Sequence, residues 1–164
     1  IVFIYSILKV RQKMIIKILK HYFGDYKKIK RERTDLKYTL GYSNLTFDLW
    51  MILHRKECNG IFAHKKAYLK EINKAFSKNF ISLDKYKEEK NFKNILENYI
   101  NLEEVEIAIQ NAKKIREAKE KSGSSSKIVH KFKYYDNNPD LTIHECVEKI
   151  LIDSGILKMQ NRKS

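Results

Sequence analysis

The chain has few of the residues that break or staple a fold. Among 164 residues there are five Gly, one Pro and two Cys. So few turn formers argue against a β-sandwich or barrel, which needs many short strands joined by Gly- and Pro-rich turns. The cysteines, Cys58 and Cys146, stand far apart and make no disulfide framework, so reduced thiols and an intracellular setting are expected. The apolar run Ile1–Leu8 is much shorter than the roughly 20 residues that cross a bilayer. Its cations, Lys9 and Arg11, follow it, whereas a secretory signal carries them in front. No transmembrane segment is expected. The first residue is Ile, and Met14 is an alternative start.

Catalytic signatures are missing as well. No Gly-rich loop can cradle a phosphate, no nucleophile elbow is present, and no pair of histidines has the spacing of a zinc helix. Glu88, Glu89, Glu97, Glu103, Glu104 and Glu106 are interspersed with lysines on helical segments, the pattern of a solvated face. A nuclease whose carboxylate ligands are scattered through the fold would leave no local signature, and it is the enzymatic alternative. His54, Cys58 and His64 are close in sequence, with His54 and Cys58 four apart, and His144 and Cys146 could join them from afar. Structural zinc normally shows paired short spacings, and these are absent, so no metal or other cofactor is expected. A buried thiol and surface imidazoles explain the same residues.

Acid is the other shortage: 34 basic residues face 20 acidic ones, for a net charge of +14. The imbalance is local. Residues 1–42 carry +8, residues 43–81 carry +4, residues 82–121 are neutral and residues 122–164 carry +2. Concentrated charge points to a polyanion partner, nucleic acid or an anionic membrane surface. A Lys-, Asn- and Ile-rich composition also arises from AT-rich coding sequence.

What is present is helical periodicity. Residues 8–23 and 25–40 read as helices, the second closed by Gly41. Ser43 or Asn44 is the expected N-cap of a helix over 45–57. Asn59-Gly60 ends it, although Asn-Gly between apolar runs also suits a hairpin. Residues 62–79 place Lys65, Leu69, Ile72 and Phe76 on one face. Ser82 caps a helix carrying Phe92, Ile95, Leu96, Tyr99 and Ile100. Asn101 with Glu104 forms a capping box for a helix to about Lys121, striped by Leu102, Val105, Ile109, Ala112 and Ile115. Ser122–Ser126 has linker composition. Ile128–Tyr135 alternates weakly like a strand, residues 136–140 form a turn, and Thr142 with Glu145 opens a last helix through Ile152. Its expected buried face is Val147, Ile150 and Leu151.

The expected fold is all-α, a bundle of five or six helices with a small linked C-terminal strand and helix segment. Residues 1–121 form the basic helical domain, 122–127 the linker and 128–164 the C-terminal segment. That last segment either folds back onto the bundle or adds to a partner's sheet.

The expected function is non-catalytic nucleic-acid binding. Lys27, Lys28, Lys30, Arg31 and Arg33 are the expected phosphate contacts, extended by Lys65, Lys66 and Lys70. Tyr22, Phe23, Tyr26, Tyr38 and Tyr42 would stack on unpaired bases if exposed, or face the core, as helical spacing alone would place them. Residues 45–57, the turn Cys58–Gly60 and residues 62–79 have the outline of a helix-turn-helix. However, Lys56 stands where a small residue would let the helices close, and two packed core helices explain the pattern equally. The alternatives are a helical protein-interaction module, with residues 82–121 as scaffold or homodimer surface, and a peripheral membrane protein using Ile1–Leu8 as an in-plane helix.

Overall fold

The structure, a computed structural model, describes residues 2–5, 38–129 and 132–158. The protein is a helical bundle with a small C-terminal strand and helix segment. Among the described residues there are six α-helices: α1 (Asp48–Leu53), α2 (Tyr68–Phe76), α3 (Leu83–Lys87), α4 (Glu89–Tyr99), α5 (Leu102–Lys121) and α6 (Ile143–Asp153). A 3-10 turn, Lys65–Ala67, leads into α2. Strands β1 (Val2–Tyr5) and β2 (Tyr38–Gly41) pair in parallel, with Val2 opposite Tyr38 and Tyr5 opposite Gly41. Strands β3 (Ser126–Val129) and β4 (Phe132–Tyr135) form an antiparallel hairpin.

The best predicted helix is α5. Asn101 Oδ1 accepts from the Glu103 and Glu104 N–H groups, and Glu104 returns a carboxylate to the Asn101 N–H, so the capping box is complete. Ile109, Ala112 and Ile115 are buried as the stripe requires, while Leu102 at its start is exposed. Ser82 caps α3, its Oγ accepting from the Lys85 N–H at 3.1 Å. The single helix expected beyond Ser82 is interrupted at Glu88, whose ψ of 133° separates α3 from α4. On α4 Ile95 is fully buried but Leu96 is exposed, so the stripe is narrower than its sequence implies.

Several boundaries moved for identifiable reasons. The helix expected from residue 45 starts at Asp48, because Leu45 takes a left-handed φ of 68° and Ser43 spends its hydroxyl on the Thr46 carbonyl. The last three residues of the basic helix expected over 25–40 are in a strand, Tyr38–Gly41, where pairing with Val2–Tyr5 overrides local helical propensity. Val2–Tyr5 is likewise a strand and not part of an in-plane helix. Ser126, read as linker, is the first residue of β3. Thr142 makes no side-chain cap. Its Oγ1 instead accepts from the Tyr42 N–H at 3.3 Å.

The core is built from α1, α2, α5 and the residues beside them: Leu49, Ile52, Leu53, Tyr68, Ile72, Phe76, Ile109 and Leu141 are all essentially inaccessible. Helix α6 lies against α5 and β2. Its buried face is Ile143, His144 and Cys146, whereas Val147, Ile150 and Leu151 are only half-buried, because the contact is made through the first turn. Segments 42–44 and 140–143 are zipped together there by backbone bonds from Asn44 N–H to Asp140 and from Thr142 N–H to Tyr42. The approach is close enough that a Cβ on Gly41 would sit 2.9 Å from Cys146 Sγ. Among the described residues no helix is long and apolar enough to cross a membrane.

Candidate nucleic-acid interface

Lysines recur through the segment that leads into and along α2: Lys65, Lys66, Lys70, Lys74 and, past the helix end, Lys78. Residues four apart on a helix share a face with a rise of about 6 Å. Lys70 and Lys74 therefore share a face of α2, with Lys66 in the 3-10 turn that precedes it; all three are exposed, while Lys65 is half-buried. The helix is held in place by its other face, where Tyr68, Ile72 and Phe76 enter the core. Phe76 is followed by Ser77 in the left-handed conformation, φ 51°, which turns the chain back on itself. The return is braced by Asn73, whose side-chain amide donates to the Phe80 carbonyl and whose Oδ1 accepts from the Phe80 N–H, both at 2.9 Å.

This geometry makes a shallow concavity of about 560 Å³ lined by Leu69, Lys70, Asn73, Lys74, Ser77, Lys78 and Asn79. No carboxylate lines it. The one acid of α2, Glu71, is engaged by Lys56 at 2.6 Å and Lys74 at 3.7 Å. Its carboxyl is held below the usual range first by the hydrogen bond from Lys56, with Lys74 and Lys70 adding to the effect against partial burial. Lys78 is fixed by Asn94 Oδ1 at 3.3 Å and by the Tyr99 ring at 5.0 Å. Among the described residues neither Lys65, Lys66 nor Lys70 has a carboxylate within ion-pair distance.

Of the expected contacts, Lys70 lines the concavity and Lys66 is exposed in the turn before α2, whereas Lys65 is half-buried and neither Lys65 nor Lys66 lines the concavity. Lys27, Lys28, Lys30, Arg31 and Arg33 lie outside the described residues, as do Tyr22, Phe23 and Tyr26. Tyr42 is buried and cannot stack on a base. The helix-turn-helix outline does not match the structure: α1 ends at Leu53 and α2 begins at Tyr68, a connection much longer than the short turn of that motif.

The histidine and cysteine group is structural. Since α1 ends at Leu53, His54 and Cys58 do not share a helix face. His54 is buried, with Nδ1 2.9 Å from the Trp50 carbonyl, and burial lowers its pKa. Burial raises the pKa of Cys58. His64 Nδ1 accepts from the Lys66 N–H and so caps the 3-10 turn that carries the first lysines. Two imidazoles expected at the surface, His54 and His144, are in fact buried. Among the described residues no group of three or more His, Cys, Asp or Glu could hold a metal ion.

Sequence reasoning missed a buried charge centre. Asp140, read only as part of a turn, is fully inaccessible. Its carboxylate accepts from the Tyr42 hydroxyl, from the Tyr135 N–H at 2.9 Å and from Arg116 Nη1 at 3.0 Å. Arg116 also donates to the Tyr42 oxygen and to the Lys133 carbonyl, each at 3.3 Å, and lies over the Tyr135 ring. Burial, then Asp140, pushes the Tyr42 phenol well above its ordinary range. One signal was available: Arg116 follows Ile115 on the apolar side of α5. Beside this centre the groove between α5 and α6, about 640 Å³, is lined by Arg116, His144, Glu145 and the pairs Lys113–Glu148 and Lys149–Asp153.

With the fold in view, a family model for RloB-like proteins matches residues 19–150, from ahead of β2 to well inside α6. The chain belongs to the RloB-like protein family. No curated protein and no solved structure matches it.

Proposed function

We propose that the protein binds nucleic acid without catalysing its conversion, using the lysine face of α2 as a phosphate-contacting surface. Lys65, Lys66 and Lys70 make the contacts with Lys74 and Lys78, and Lys27, Lys28, Lys30, Arg31 and Arg33 add further ones. The observation that carries this reading is that, among the described residues, Lys65, Lys66 and Lys70 lie close together in the chain without a carboxylate partner. Many cations elsewhere on the described surface are matched with acids, such as Arg55 with Glu104, Lys113 with Glu148, Lys114 with Glu57 and Lys149 with Asp153, although Lys90, Lys121 and Lys158 are not. Ammonium groups without an acid beside them release counterions from a phosphate backbone at no cost in broken ion pairs.

The test is a fluorescence-anisotropy titration of the full chain with labelled DNA and RNA at two ionic strengths. Binding should weaken steeply with salt, and each of Lys66→Glu and Lys70→Glu should lower the log–log salt slope by about 1 or more. Lys93→Glu, on α4 in a pair with Glu97, should leave the slope unchanged. No binding at low salt would remove the proposal.

A further inference from the structure

The same lysine face also bears on which nucleic acid fits, an inference that rests on the reading above. Proteins that hold single strands combine cations with exposed aromatic rings on which successive bases stack, and stacking offsets the entropy of ordering a flexible strand. Around α2 the described aromatics are all committed elsewhere. Tyr68 and Phe76 are fully buried. Phe62 packs edge-on against Tyr68, and Phe80 against Tyr86. Tyr99 has Lys78 over its ring and Phe76 against it edge-on.

Base reading is limited in the same way. Two asparagines line the concavity and could hydrogen-bond a base edge: Asn73 has both ends of its amide closed onto Phe80, which leaves Asn79 as the one exposed amide there. No arginine lines the concavity. What remains is a series of ammonium groups, Lys66, Lys70 and Lys74, on a segment whose backbone is held by the buried Tyr68, Ile72 and Phe76, with Lys78 anchored beside them. Positions spaced in this way suit a regular array of charge. Duplex DNA presents one phosphate per about 3.4 Å of axis on each strand, so three lysines spanning about 12 Å face three or four successive phosphates.

We infer that the α2 face binds double-stranded nucleic acid through its backbone, independently of base sequence. Four contacts give a log–log salt slope between about −3 and −4 on a duplex, against a shallower one on a single strand. At equal intrinsic contact strength, that difference favours the duplex about sixfold near 0.1 M salt.

The experiment uses the full chain and five labelled probes. These are two short DNA duplexes of contrasting base composition, the two separated strands of one of them, and an RNA duplex of the same sequence. The expected result is equal affinity for the two DNA duplexes, weaker binding of both single strands, and loss of the duplex preference in a Lys66→Glu/Lys70→Glu/Lys74→Glu protein. The RNA arm tells whether the shorter phosphate spacing of an A-form helix is also accommodated, and binding of either duplex type supports the inference. A single strand bound as tightly as the duplex, or a clear difference between the DNA duplexes, overturns the inference and leaves nucleic-acid binding standing. No binding of any probe at low salt removes both.

Discussion

Two charged regions of this molecule obey opposite rules. Between α5, α6 and the β3–β4 hairpin, charge is buried and matched: Arg116 meets Asp140 at 3.0 Å with the acid fully enclosed. Along α2, charge is exposed and largely unmatched: Lys74 meets Glu71 at 3.7 Å, whereas Lys66 and Lys70 have no carboxylate within ion-pair distance among the described residues, so replacing those two removes no ion pair. Buried pairs hold a fold together because separating them strands an ion out of water. Solvated cations of one sign slightly oppose the compact state. Mutations should therefore separate the two regions cleanly, with stability lost in one and binding in the other.

The largest effect is expected at Asp140. Asp140→Ala leaves the Arg116 guanidinium and the Tyr42 hydroxyl buried without their acceptor, and should cost about 3–5 kcal/mol in urea unfolding. The double change Asp140→Ala/Arg116→Met should recover part of that loss. If the double mutant is no more stable than the single one, the centre is not acting as an ion pair.

His144 comes next, and it bears on pH. Burial first, then Arg116 and Lys113, lower its pKa to about 4, so the folded protein holds it neutral. The unfolded chain takes up a proton near the ordinary value of about 6.5. Protons therefore favour the unfolded state between those values. Stability is fully present above about pH 6.5 and should fall, by on the order of 2–3 kcal/mol, as pH drops toward 4. A His144→Gln protein should show a flatter profile over that window. An unchanged slope would break the assignment.

Reversing Lys66 and Lys70 should leave urea unfolding within about 0.5 kcal/mol of the parent while binding drops about tenfold or more, the inverse of the Asp140 result. Asn101→Ala removes the capping box of α5 and should cost about 1 kcal/mol. Lys149→Ala breaks only the exposed pair with Asp153 on α6 and should cost less than about 0.5 kcal/mol. A large loss there would mean that the groove pairs act as one network with Arg116.

Most helices could be read from the chain because their signals are local. Asn101 with Glu104, Ser82, and the Ile109, Ala112 and Ile115 spacing each act within one or two turns, and each appears as expected. The misreadings share one cause. Thr142 looked like a cap but serves Tyr42, a hundred residues earlier in the chain. Asp140 reads as one residue of a turn and is a fully buried carboxylate. Residues 38–40 read as the end of a helix, but a distant strand pairs with them. In each case a partner far along the chain outweighed a neighbour.

The lysine face falls between these cases. The spacing of Lys66, Lys70 and Lys74 could be read directly, and so could its placement opposite Ile72 and Phe76. That Lys66 and Lys70 lack acids within ion-pair distance among the described residues, while Lys74, Arg116, Lys113 and Lys149 have them, could not be read from the chain.

The amino-acid order alone determined where helices run, which of their faces are apolar and where positive charge is concentrated, since periodicity, capping and composition act over a few residues. Only the folded arrangement decided which charges are neutralised and which side chains leave water. Those outcomes depend on distances between segments that are remote in the chain, and ion pairing and burial follow distance in space.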